Sequence, residues 1–140
     1  MKVLIDTNVI LDVLLKRTPW VADAKAVWQA HEQHRIQGFV IATSITNLFY
    51  IARKLKGQPV ALQCVLKCLA AFEVLPVDAH VLNDASTMPG SDFEDNVAIG
   101  CAVSAGLDVI VTRDSTGFVH SPVPAASPAE LLARLALAKP

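Results

Sequence analysis

The sequence predicts an α/β fold, a three-layer α/β/α sandwich around a mostly parallel sheet of about five strands. Short runs of branched apolar residues, "VLI" (3–5), "FVIAT" (39–43) and "DVIVT" (108–112), have the composition of strands buried on both faces. Between them lie longer segments whose apolar residues recur at helical spacing. The two kinds of segment alternate, and alternation implies crossover connections, hence parallel strands covered by helices on both faces.

Each element follows in order. The first strand stops at Asp6-Thr7-Asn8, after which Val9, Ile10, Val13 and Leu14 mark a helix from 7 to about 16. Thr18-Pro19 opens a second helix, about 19 to 36, because Thr caps well and Pro is tolerated in a first turn; it ends near Gly38. After the strand at 39–43, "SITNLFYIARKLK" carries Ile45, Leu48, Phe49, Ala52 and Leu55 on one helical face, and Gly57 closes it. Residues 60 to 71 form a further helix, "FEVLPV" a strand, and Asp78 the cap of another helix. Thr87-Met88-Pro89-Gly90 is turn material. Ser91 with Glu94 matches a capping box, so a helix runs from about 92 to 105 and stops at Gly106. The strand at 108–112 is followed by a short edge strand near Val123, and Ser127 with Glu130 repeats the capping box for a C-terminal helix.

At 140 residues the chain forms a single domain, 1–140. No apolar run reaches the roughly 20 residues of a membrane span, and the start lacks a leader pattern, so a cytoplasmic protein with no membrane partner is expected. Three cysteines without framework spacing agree, and Cys64 and Cys68, one helical turn apart, read as small buried hydrophobes. The net charge of −1 neither requires nor excludes a polyanionic partner.

Several carboxylates fall where strand ends should share one edge, the place where open α/β sheets bind ligands. Asp6 ends the first strand, Asp92 and Asp95 open a helix on one face, and Asp114 directly follows "VIVTR". Carboxylates converging without cations repel, and a hard divalent cation such as Mg²⁺ or Mn²⁺ would resolve the repulsion through oxygen ligands. Each residue also has a plain alternative. Asp6 and Asp114 can be helix N-caps, Asp92 can serve the helix dipole, and Glu94 reads as the capping partner of Ser91. Asp12 reads either as a solvated position or as a prop for the loop around Asp6. The histidines are scattered; His31 and His34 share a helix face without a third ligand and read as solvated. No Gly-rich phosphate loop is present.

"LIDTNVILDVLL", "TSITNLFYIAR" and "DFEDNVAIGCAVSAGLDVIVTRD" together resemble the PIN domain family, the metal-dependent ribonuclease fold typified by VapC toxins. The resemblance implies Asp6, Asp95 and Asp114 as catalytic, metal-binding acids with Asp92 as an accessory. It places the family's second acid at Asn47, where this chain offers a neutral oxygen in place of a charge. Thr7, Asn8, Thr112 and Arg113 are candidate substrate contacts, and Lys16, Arg17, Arg53, Lys54 and Lys56 could follow a nucleic-acid backbone. The implied activity is Mg²⁺- or Mn²⁺-dependent cleavage of single-stranded or structured RNA by a homodimeric toxin with a small VapB-like antitoxin. Two alternatives remain at this point. One is a catalytically weak RNA-binding or regulatory PIN module, because of Asn47. The other is a haloacid-dehalogenase-type phosphatase with Asp6 as nucleophile, which Asn8 disfavours by lacking the acid needed two residues on.

Overall fold

The computed structural model describes residues 1–138. Five parallel strands form the sheet: β1 (Lys2–Ile5), β2 (Gln37–Ile41), β3 (Glu73–Leu75), β4 (Val109–Val111) and β5 (Ala125–Ala126), in the order β3-β2-β1-β4-β5. The strand order reverses direction at β1. Its neighbours on either side are therefore β2 and β4, with Val3 in register with both Gly38 and Val109.

Side-chain alternation along the central strands divides the interior into two cores. Val3 and Ile5 of β1, with Val109 and Val111 of β4, face α1 (Thr7–Leu14), α2 (Val21–Glu32), α3 (Ala42–Lys56), α4 (Gln58–Ala71) and α7 (Pro128–Leu137). Leu4 and Ile110 point the other way, against α5 (Ala79–Ser86) and α6 (Phe93–Ser104). This is the expected three-layer arrangement. Cys64 and Cys68 lie buried in the first core and Cys101 in the second, as free thiols. None of the described helices is long and apolar enough to cross a membrane.

Several boundaries differ from the sequence reading, and each has a local cause. The second strand ends at Ile41, whose extended backbone leads directly into α3, so Ala42 and Thr43 are helical rather than extended. Thr18 does not cap α2, which begins at Val21 after Trp20. Arg17 instead folds back on α1, its N–H donating to Asp12 O at 3.0 Å while its carbonyl accepts from Val21 N at 2.9 Å. At the other end α2 stops at Glu32 because His34 turns left-handed, φ 59°, and Arg35 N closes onto Ala30 O at 2.9 Å. The edge strand lies at Ala125–Ala126, just beyond Val123. Ser127 and Glu130 form the capping box of α7.

His31 is not the solvated residue expected. It is half-buried against Phe72; its Nδ1 accepts from Gly38 N at 2.9 Å and its Nε2 lies 2.6 Å from Ala71 O. The ring thus joins α2 to the start of β2 and the end of α4.

Candidate active site

The carboxyl ends of β1 and β4 lie side by side, Asp6 N donating to Val111 O at 3.0 Å, so Asp6 and the segment Thr112–Asp114 share one edge of the sheet. Asp6 adopts extended backbone and caps α1, its Oδ1 accepting from Thr7 N at 2.9 Å. Its Oδ2 accepts from the Thr112 hydroxyl at 2.9 Å. Thr112 also accepts from Asp114 N at 3.2 Å, so one buried hydroxyl ties the two acid-bearing strand ends together. Asp114 begins a short 3₁₀ helix (Ser115–Phe118), accepting from Thr116 N at 3.0 Å and Thr116 Oγ1 at 2.7 Å. The capping alternatives for Asp6 and Asp114 are therefore real, and they fix these carboxylates without removing them from the edge.

From the opposite side comes α6. Asp92 caps it by accepting from Asp95 N at 3.1 Å, and this displaces the expected Ser91–Glu94 capping box. Glu94 is thereby released toward α3, where Asn47 Nδ2 donates to its Oε1. Asp6, Thr7, Ser44, Asn47, Glu94 and Asp95 line one narrow cleft of about 20 Å³, floored by Leu4 and Ile110. That is space for one or two small polar species. Asp92 and Asp114 are exposed and stand outside its lining.

Burial and mutual repulsion raise two of these acids, Asp95 and Asp6. Asp95 is pushed up to about 6, first by burial and then by Asp92, Asp6, Asp114 and Glu94. Asp6 is also raised, mainly by burial, with its hydrogen bonds to Thr112 and Thr7 opposing, Glu94 adding repulsion and the Arg113 charge opposing it last. Asp114 is held below the usual range by its bonds to Thr116. Among the described residues, no Lys or Arg pairs with any of these acids.

Such a donor set, all oxygen and short of positive charge, fits a hard divalent cation. Among the described residues no three carboxylate, imidazole or thiol groups are gathered closely enough to clasp an ion directly.

Sequence reasoning left two features of the site unread. Gly117 has an ordinary φ, yet a Cβ there would fall 1.9 Å from Asp95 Oδ2, so the 3₁₀ helix can close over Asp95 only with glycine. By spacing Glu94 reads as the capping partner of Ser91. The competing signal is Asp92, as good an N-cap as Ser91, with Asp95 three residues on.

Arg113 and Asn8, expected as substrate contacts, are engaged elsewhere. Asp12 is fully buried, and neither solvated nor part of the cleft. Arg17 Nε donates to its Oδ1 at 2.8 Å, and Arg113 Nε lies 2.9 Å from Oδ2 as a charge contact without good hydrogen-bond alignment. Arg113 also stacks 3.8 Å over the Trp20 ring, and Arg17 Nη2 donates to Asn8 O and Asn8 Oδ1, both at 3.1 Å. Thr7 donates from its hydroxyl to Ser44 Oγ at 2.9 Å, linking α1 to α3. Of the other cations, Lys16, Arg53, Lys54 and Lys56 are exposed, with Arg53 lying 5.0 Å from the Tyr50 ring centroid.

Comparison with solved structures finds the same fold in proteins of low sequence identity. The DNA-bound VapBC of Salmonella typhimurium aligns at 20% identity over 91% of this chain and 98% of that one, TM-score 0.70. VapC20 of Mycobacterium tuberculosis, described as a toxin that cleaves the sarcin-ricin loop, aligns at 12% over 81% and 91%, TM-score 0.68. PAE2754 from Pyrobaculum aerophilum aligns at 23% over 98% and 90%, TM-score 0.64. Comparison with curated protein sequences finds no significant match. The sequence profile of the PIN domain matches residues 2–116. Since that match runs from β1 through the acidic edge into the 3₁₀ helix, the chain belongs to the PIN domain family, a family of nucleases.

Proposed function

We propose that this protein is a Mg²⁺- or Mn²⁺-dependent endoribonuclease acting on single-stranded or structured RNA, and the toxin of a toxin–antitoxin pair. The observation that supports it most is the cleft itself, where Asp6 and Asp95 meet and, among the described residues, neither forms an ion pair with a Lys or Arg. Asp6, Asp95 and Asp114, with Asn47 and Asp92, would hold the cation. A divalent ion there supplies charge stabilisation for the phosphate oxygens and lowers the pKa of water to make a nucleophile.

The chain's own residues prepare this chemistry. Thr112 and the Thr7 amide orient Asp6, the Asp92 cap orients the first turn of α6, and Gly117 lets the backbone close over Asp95. Hydrolysis by in-line attack on phosphorus leaves 5′-phosphate and 3′-hydroxyl ends. The Asp12 cluster holds the loop after α1 in place, and the exposed Lys16, Arg53, Lys54 and Lys56 would contact RNA backbone.

A small VapB-like antitoxin and a homodimer belong to the same reading. Apolar stripes on α3 (Ile51, Leu55) and α4 (Leu62, Leu66, Leu69) are exposed, a pattern that favours protein partners. An antitoxin would silence the site by inserting Arg or Lys among the acids. The phosphatase alternative loses ground, because Asn8 lacks an acid and is committed to Arg17. The weak-nuclease alternative rests on Asn47. The test is incubation of purified protein with end-labelled RNA and Mn²⁺, with Asp6→Asn as control: cleavage with 5′-phosphate ends that the variant lacks supports the proposal, and equal cleavage by both defeats it.

A further inference from the structure

We infer that Glu94 supplies from α6 the carboxylate that α3 lacks at Asn47, and that Asn47 is the residue that positions it. This rests on the metal-dependent nuclease reading and specifies which side chain completes its site. Two observations converge. The Asn47 amide donates to Glu94 Oε1, and both side chains line the cleft shared by Asp6 and Asp95. Glu94 is not consumed by a helix cap, since Asp92 fills that role.

The pairing has a chemical logic. An acid at position 47 would face Glu94 across the cleft and repel it, whereas an amide donates a hydrogen bond and leaves the other carboxylate oxygen without a protein hydrogen bond among the described residues. Asparagine at 47 and glutamate at 94 thus act as one unit, in which α6 carries the charge and α3 aims it. The negative charge of the site is then undiminished by Asn47.

The test is Mn²⁺ binding to the full chain by isothermal titration calorimetry, with circular dichroism and melting curves confirming that each variant folds. Glu94→Gln retains an acceptor for Asn47 and removes only the charge, so Kd for Mn²⁺ should rise about tenfold. Asn47→Ala keeps the charge and frees the side chain, so Kd should rise roughly threefold. The double variant Asn47→Glu with Glu94→Gln exchanges charge and amide across the same hydrogen bond, and should return Kd to within about threefold of wild type. Asp6→Asn is the control for the site. If it weakens Mn²⁺ binding while Glu94→Gln does not, the role of Glu94 is overturned and the metal site stands. A double variant no better than Glu94→Gln overturns the exchange, and Mn²⁺ binding untouched by both Asp6→Asn and Glu94→Gln overturns the metal reading itself.

Discussion

The Thr112 hydroxyl donates to Asp6 Oδ2 at 2.9 Å and accepts from Asp114 N at 3.2 Å, joining the ends of the two central strands β1 and β4. A single O–H thus sets the direction of one acid and the loop of another. Thr112→Val keeps the shape and removes the donor, leaving a partly buried carboxylate without one partner. RNA cleavage should fall at least tenfold at fixed Mn²⁺, against a stability loss of about 1 kcal/mol by urea denaturation. Unchanged cleavage would show that Asp6 needs no such orientation.

Asp95 carries a stability penalty in the metal-free protein. Its folded pKa, about 6, lies above its ordinary value of 3.8, so the native state binds more protons than the unfolded chain between these values. Its contribution is most favourable below about pH 4 and is lost as pH rises through about 6. Asp95→Asn should therefore raise the melting temperature of the metal-free protein at pH 7 by a few degrees, roughly 1 kcal/mol after allowance for solvent screening, and have little effect at pH 4. Differential scanning calorimetry in chelator at both pH values checks the sign. A lower melting temperature at pH 7 would mean that Asp95 acts chiefly in its helix.

Gly117 is predicted to be intolerant for a reason of space rather than backbone freedom. A Cβ 1.9 Å from Asp95 Oδ2 must push the carboxylate or the 3₁₀ helix aside. Gly117→Ala should weaken Mn²⁺ binding and cleavage together, by about tenfold. Wild-type behaviour would show that the 3₁₀ helix moves freely.

Much of this was legible in the sequence because it depends on local patterns. The five-stranded parallel sheet follows from the apolar runs at 3–5, 39–43 and 108–112 with "FEVLPV" and the edge strand near Val123, and Asp6 stands at a strand end simply because Ile5 is the last buried residue of its run. The roles of Arg113 and Glu94 were not legible, since both depend on which neighbour reaches them across the fold. Arg113 follows a strand as a substrate-binding residue could, yet buried Asp12 and Trp20 claim it from α1 and the turn before α2. Glu94 fits a capping box by spacing, but spacing alone does not reveal that Asp92 competes for the cap and that Asn47 waits opposite. His31 shows the same limit: its partners Gly38 and Ala71 come from other elements.

The Asp12 cluster is expected to act on stability before activity. Asp12 is fully buried between Arg17 and Arg113, and burial raises its pKa while both cations oppose that rise. Arg113→Ala removes one counter-charge and the stacking on Trp20, and should cost about 3 kcal/mol by urea denaturation. Cleavage per folded molecule should stay within about threefold of wild type. A stable variant with lost RNA affinity would return Arg113 to the substrate site.

The measurement that bears most directly on the central claim is a Mn²⁺ titration of RNA cleavage, run with wild type and Asp6→Asn purified identically and free of contaminating nucleases. The account predicts no cleavage in excess chelator, saturable cleavage as Mn²⁺ is added to the wild type, and none at any Mn²⁺ concentration for Asp6→Asn. Cleavage that persists in chelator, or that Asp6→Asn retains in full, would contradict it.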